Sequence, residues 1–311
     1  MIESFEEELA TLLGHPAAVF MPSGTMAQQI ALRVWSDRAA CKRIAMHATS
    51  HLQVHEQGAY RELHGLEAEL LGDSQRLFDM RDLEALSAPL SSILWELPQR
   101  EIGGQLPTWE ALQSELEWAK TKKIRRHLDG ARLWEAAPHY SRSHAEIAAC
   151  FDSVYVSFYK GLGGMAGAIL AGPDDFIAES RIWQRRHGGN LISMHPYILS
   201  ARAGMKQHMG RFAEYRQRAQ EIAARLHRID RITVVPKVPT TLMMHLHIAV
   251  DAHQLNQANH KLAADTNVML FGKASECGEG LSKVELSIGS ACQSMSNDEI
   301  ESLFRTLLAG L

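Results

Sequence analysis

Ile124-Arg125-Arg126-His127-Leu128-Asp129-Gly130-Ala131-Arg132 is the stretch on which the fold turns. Ile124 to Leu128 reads as a strand that ends at Asp129. A carboxylate at the end of a buried strand needs a partner if it is to stay ionised there. Arg132, three residues on, offers a planar fork that suits a carboxylate. Two readings stay open at this point: a structural Asp–Arg pair in a loop, or an acid and a base that both face a ligand.

Outward from this strand, short apolar runs alternate with helical patterns. Ala17 to Phe20 reads as a strand and Met26 to Trp35 as a helix; Ile44 to Met46 and Ile93 to Leu97 read as strands, and Thr108 to Ala119 as a helix. Ser153 to Ser157 and Ala166 to Ala171 are two further strands. This rhythm predicts an α/β fold, with a mostly parallel central sheet and helices on both faces. After Met194 the pattern changes. A helical stretch from Pro196 to Ile229 leads to strands at Ile232–Val235, 242–248 and 284–288, a helix over 252–265 and a closing helix from Asp298. The expected organisation is a large domain over 1–195 and a small α+β domain over 196–311.

In open α/β sheets ligands bind beyond the carboxyl ends of the strands, and three segments fall there. Asp129 belongs to one. Pro22-Ser23-Gly24-Thr25 follows the Phe20 strand and opens the Met26 helix, where backbone N–H groups and the positive end of the helix dipole suit a phosphate; an ordinary N-cap is the alternative. Ser157-Phe158-Tyr159-Lys160-Gly161-Leu162-Gly163-Gly164 follows another strand. Lys160 sits there among small and apolar residues, and desolvation makes an amine a better Schiff-base nucleophile; a surface lysine in a turn is the alternative. Gly161 to Ala166 also fits a loose dinucleotide fingerprint, but its glycines lead into a strand rather than a helix. A protonated pyridine nitrogen is a fitting partner for Asp129, since the ring then serves as an electron sink.

Composition narrows the function classes. Of 311 residues, 46% are apolar and 22% charged, an ordinary globular balance. A net charge of -4 gives no basic excess for nucleic acid. No apolar run approaches the ~20 residues that span a bilayer, and the acidic start Met1-Ile2-Glu3-Ser4-Phe5-Glu6 is unlike a signal peptide. A soluble cytoplasmic protein is expected. The four cysteines lie far apart, which predicts reduced, buried thiols. Among 16 histidines, His47, His51 and His55 are four apart and would share a helix face, and His245 and His247 would share a sheet face. No His-Glu-x-x-His occurs and no further ligand is indicated, so no metal is expected.

Taken in order, these segments resemble the threonine aldolase and β-eliminating lyase family of fold-type-I pyridoxal-phosphate (PLP) enzymes. Phe20 to Ala27 is similar to the family's phosphate-binding turn. Ser50-His51-Leu52 with Glu56 and Gly58 resembles the segment whose histidine stacks on the cofactor ring. His127 to Glu135 is close to the family signature, Lys160 to Gly163 resembles the Schiff-base lysine segment, and Arg185 to Gly189 resembles a following Gly-Gly stretch. Three departures stand out. The chain opens at Met1-Ile2-Glu3-Ser4-Phe5, which carries the expectation that the family's N-terminal arm is missing. Glu96-Leu97-Pro98-Gln99 replaces a Glu-Asn-Thr-His stretch whose histidine contacts the substrate hydroxyl. No arginine stands near Glu285 to Ile288, where the family has one for the substrate carboxylate.

The resemblance implies a PLP-dependent transferase-like fold and an aldolase that cleaves a β-hydroxy-α-amino acid, threonine-like or phenylserine-like, to glycine and an aldehyde. Lys160, His51 and Asp129 would be catalytic. Ser23, Gly24, Thr25, His51, Asp129 and Lys160 would bind the cofactor, and Arg132 and Gln99 the small-molecule substrate. A homodimer or homotetramer is expected, with no nucleic-acid or membrane partner. Another PLP-dependent lyase or transaminase acting at Cα, or a non-catalytic truncated homologue, are the rival readings.

Overall fold

A computed structural model describes residues 1–87 and 89–311. The chain forms two compact units, one of Met1–Glu101 with Leu106–Gly210 and one of Ile102–Gln105 with Arg211–Leu311. The first contains a seven-stranded sheet of β1 (Ala17–Met21), β2 (Arg43–His47), β3 (Glu67–Leu71), β4 (Ser92–Glu96), β5 (Arg125–Gly130), β6 (Ser153–Ser157) and β7 (Ala168–Gly172). Their order is β1-β7-β6-β5-β4-β2-β3. Neighbours from β6 through β3 pair in parallel, whereas β7 is antiparallel to both β6 and β1. Six strands therefore run one way and only β7 runs against them. The mostly parallel sheet expected from the sequence is present.

The reason lies in the composition of the strands. β4, β6 and β7 are buried at every position, as strands covered by helices on both faces must be. α1 (Ile2–Leu13) and α2 (Gly24–Ala39) are the first of these covering helices. α2 packs Ala27, Ile30, Ala31, Val34 and Trp35 against Val19, Tyr155, Ala168 and Leu170. Trp35 stacks on Phe176 with ring centroids 4.5 Å apart. Phe176 belongs to α4 (Asp174–Arg186), while α3 (Trp109–Thr121) leads into β5. β3 escaped the sequence reading because it is the sheet edge; Glu67 and Leu70 are exposed, so no apolar run marks it.

The division between the units differs from the one at 195/196. α5 (His195–His208) packs with the first unit, and a 3-10 turn at Met209–Arg211 separates it from α6 (Phe212–Leu226). The helical stretch expected over 196–229 is two helices. α5 closes on the Lys160 loop so tightly that a Cβ at Gly204 would lie 2.2 Å from the Leu162 carbonyl oxygen. Ser200 Oγ accepts from the Met165 N–H at 2.9 Å.

The second unit is an antiparallel sheet in the order β10-β11-β9-β8, built from β8 (Ile232–Val235), β9 (Met243–Ile248), β10 (Ser275–Gly278) and β11 (Leu281–Ser287). Leu246, Ile248, Val284 and Leu286 pack with Leu226 of α6, Leu255 of α7 (Ala252–Thr266) and Phe304 of α8 (Asn297–Ala309). Among the described residues no helix is long and apolar enough to cross a membrane.

Candidate active site

Because β1, β2, β4, β5 and β6 point the same way, their carboxyl ends share one edge of the sheet. Every site residue expected from the sequence lies on or just beyond that edge, in the first unit.

Lys160 stands three residues past β6, half-buried. Its loop is held by backbone hydrogen bonds from Gly163 N to Lys160 O (2.9 Å) and from Gly164 N to Phe158 O (2.7 Å). The amine lies 5.2 Å from the centroid of the Tyr159 ring. The Gly161–Gly164 turn leads into β7 and no helix, which removes the dinucleotide reading.

Asp129 is the fifth residue of β5 and is 2% exposed. Its Oδ1 accepts from the Ala131 N–H at 3.0 Å, and its Oδ2 accepts from the Gln28 amide. Burial pushes its carboxyl above the ordinary range, against these donors and the charge of His51. The structural Asp–Arg pair is not formed. Arg132 instead lies 3.7 Å from Glu135 Oε1, with its side chain 13% exposed.

His51 opens a single helical turn, His51–Val54, beyond β2. Its Nδ1 is 3.1 Å from Glu56 Oε1, and Gln29 donates to the other Glu56 oxygen at 3.1 Å. The hydrogen bond to Glu56, together with the charges of Asp129 and Glu56, raises the imidazole above its usual value despite burial and the opposing charge of Lys160. With its proton on Nδ1 toward Glu56, the neutral ring carries its lone pair on Nε2. Of the helix face expected for His47, His51 and His55, only the last two come together, with ring centroids 5.1 Å apart. His47 ends β2 with Nε2 2.9 Å from the Arg76 carbonyl, and His55 lies past the short turn.

Ser23 caps α2: its Oγ accepts from Met26 N at 3.3 Å, so the N-cap is real. Cap and anion site are compatible, because the Ser23 hydroxyl proton and the helix N-terminus stay available. Gly24 is dictated by packing. A Cβ there would lie 1.9 Å from the Tyr155 hydroxyl and 2.7 Å from that of Tyr159. The two hydroxyls are 3.2 Å apart.

Gln99 is buried and donates to Thr49 Oγ1 and to Glu96 Oε2, each at 3.3 Å. Glu96 also accepts from the backbone N–H of His51 and of Arg100, both at 3.1 Å. It thus ties the His51 turn to the Gln99 segment. Burial and the neighbouring Asp129 charge push its carboxyl up. Sequence reasoning missed Gln28, Gln29 and Glu96 as site residues. Only Glu96 carried a signal, an acid at the end of an apolar strand like Asp129. The cysteines also differ from expectation: Cys41, Cys150 and Cys292 are half-buried and Cys277 is exposed. Among the described residues no group of three or more His, Cys, Asp or Glu side chains could hold a metal ion.

The donor set suits a pyridoxal phosphate. It offers an amine for its aldehyde, a buried acid for a ring nitrogen, an imidazole, and a helix N-terminus whose first residue leaves no room for a side chain. Comparison with known proteins points the same way. The sequence profile of the β-eliminating lyases matches residues 1–249. The crystal structure of a candidate L-allo-threonine aldolase from Listeria monocytogenes EGD-E superposes with a TM-score of 0.96 at 46% identity, covering 100% of this chain and 86% of that one. Aldolase vrtJ of Penicillium aethiopicum is 31% identical over 210 residues, 65% of this chain. The match covers 53% of that relative, about half its length. Low-specificity L-threonine aldolase 1 of Arabidopsis thaliana is 26% identical over 251 residues, 76% of this chain and 69% of the relative. With the fold, the strand-edge residues and the profile in agreement, the chain belongs to the β-eliminating lyase family, the PLP-dependent lyases of fold type I that include the threonine aldolases.

Proposed function

We propose that this protein is a PLP-dependent aldolase that cleaves a β-hydroxy-α-amino acid to glycine and an aldehyde. The observation that carries the reading is the shared electrostatic neighbourhood of Lys160, His51 and Asp129 at one strand edge. When bound, PLP supplies an electron sink for the pair released at Cα.

The chain's own residues supply the rest. Lys160 would be the amine that holds the cofactor covalently, Asp129 would keep its ring nitrogen protonated, and the Ser23-Gly24-Thr25 turn would take its phosphate. His51 would lie against the ring. Its Nε2 lone pair, made more basic by Glu56, is the group suited to accept the β-hydroxyl proton. Arg132 receives the substrate carboxylate; its long contact to Glu135 leaves it free to re-aim without losing a short ion pair. Gln99 could donate to the β-hydroxyl only in exchange for its bond to Thr49 or Glu96, and it is no base. This is consistent with a substrate whose side chain differs from that of threonine, such as phenylserine. The protein would act in the cytoplasm as a homodimer or homotetramer, in which Met165, Leu191, Ile192 and Leu199, all exposed in the first unit, would be covered.

Two measurements test this. Borohydride reduction of the PLP-loaded protein followed by peptide mapping should place the label on Lys160; a label on another lysine refutes the assignment. Incubation with threonine, allo-threonine and phenylserine should release glycine. Pyruvate or a keto acid from another amino acid, with no glycine, would mark a different lyase or a transaminase. Failure to hold PLP at any concentration would mark a non-catalytic homologue.

A further inference from the structure

Behind Asp129 lies a row of buried polar groups that the reaction does not touch. Trp35, Ser153, His127, Gln28 and Asp129 are each 2% exposed or less. Trp35 Nε1 donates to Ser153 Oγ at 2.8 Å. Ser153 Oγ is 2.8 Å from His127 Nδ1, and His127 Nε2 is 3.2 Å from Gln28 Oε1. The Gln28 amide nitrogen meets Asp129 Oδ2.

The direction of each bond follows from counting donors. The Gln28 amide nitrogen donates to Asp129, so its oxygen faces His127 Nε2 and can only accept, which puts a proton on that ring nitrogen. An indole N–H can only donate, so Ser153 accepts from Trp35 and its own proton is left for His127 Nδ1. Burial pushes the His127 imidazole down to about 3, so the ring is neutral. With Nδ1 accepting, its single proton is on Nε2 and goes to Gln28 Oε1. That bond holds the amide with its NH2 group toward Asp129. All four donors point one way, and the last acceptor is a carboxylate oxygen. Reversing the row would require Asp129 to carry a proton of its own.

We propose that Gln28 and His127 are positioning residues: with Ser153 and Trp35 they form a one-way hydrogen-bond chain that holds Asp129 as an anion facing the ring nitrogen of the cofactor. The inference rests on Asp129 being that nitrogen's partner. It explains how a carboxyl that burial drives toward neutrality is kept in the state the chemistry needs. Donors meet both its oxygens, the Ala131 N–H at one and the end of the chain at the other. The other titratable groups around Asp129 come from different elements. They are His51 and Glu56 beyond β2, Glu96 of β4, Tyr155 of β6, and Tyr159 in the loop that carries Lys160. None of them is changed by altering the chain.

The test compares two ligands for each protein, PLP and its deaza analogue in which carbon replaces the ring nitrogen. In Gln28→Met the last donor is gone and the side-chain length is kept. Affinity for PLP should fall about tenfold, the effect of one charge-assisted hydrogen bond, while affinity for the deaza analogue stays within about twofold. Gln28→Glu should restore PLP affinity at acidic pH, where the new carboxyl carries a proton to donate, and lose it as pH rises. If Gln28→Met does not fold, Ser153→Ala breaks the row two links back and should show the same selectivity for PLP at smaller size. Equal losses for both ligands, or no loss for either, would overturn the chain. Wild-type protein that does not prefer PLP to the deaza analogue would instead refute the pairing of Asp129 with a ring nitrogen, and the chain's purpose with it.

Discussion

The end of β5 and the turn beyond β2 each bring a histidine and a carboxylate to the same sheet edge, and their physics is opposite. His127 is fully buried with no acid against it, and desolvation drives its imidazole down to about 3. His51 has a third of its side chain in solvent and Glu56 at 3.1 Å, and its imidazole is raised. Consecutive glutamines of α2 brace the two regions, Gln28 toward Asp129 and Gln29 toward Glu56. The difference is a division of labour. The dry region holds a charge fixed, and the wetter one can exchange a proton near neutral pH.

Removing the charge at the dry end should have the largest effect. Asp129→Asn should cost ~10² or more in kcat, about 2.7 kcal/mol, because that interaction strengthens in the transition state. Cofactor binding, followed by absorbance titration, should fall less than kcat, by about the tenfold expected of Gln28→Met or more; an unchanged kcat would contradict the role.

The silent histidine should be visible in stability. His127 lies below its ordinary 6.5, so its neutral form favours the fold. That contribution is complete above pH 6.5 and is lost as pH falls toward 3. The slope it adds is at most about 1.4 kcal/mol per pH unit. Glu115, which burial raises to about 7, works in the opposite sense over part of this window, so the comparison must be between proteins. His127→Gln should flatten the acid limb of urea stability of the apoprotein relative to wild type. Parallel curves would mean that His127 is not neutral in the folded state.

At the wetter end, Glu56→Gln removes the main cause of the raised His51 value. A reaction that uses neutral His51 should rise with pH through a value above 6.5 in the wild type. The variant should move that limb to lower pH. A limb that does not move would exclude His51 as the proton acceptor.

The smallest effect should come from Gln99→Ala. Losing a neutral donor near the β-hydroxyl should lower kcat/KM less than about tenfold, and unequally among threonine, allo-threonine and phenylserine. An equal reduction for all three would place Gln99 in support of Thr49 and Glu96 rather than against the side chain.

Much of this was legible in the chain. The alternation of apolar runs and helical patterns announced the parallel sheet. Acid, lysine and glycine turns placed just past strands announced the site, since residues at strand ends must share an edge whatever their separation in sequence. The edge strand β3 and the crossing of residues 102–105 into the second unit were not legible, because neither leaves an apolar period to read. Composition and periodicity thus pointed to the fold class and to the strand-end segments that carry Asp129 and Lys160, whereas His51 stood out only through the resemblance to the family. Only the tertiary structure decided which histidine is basic and which is mute, and which glutamine serves which acid. Those properties arise from burial and from partners up to 118 residues apart, and local sequence carries no record of either.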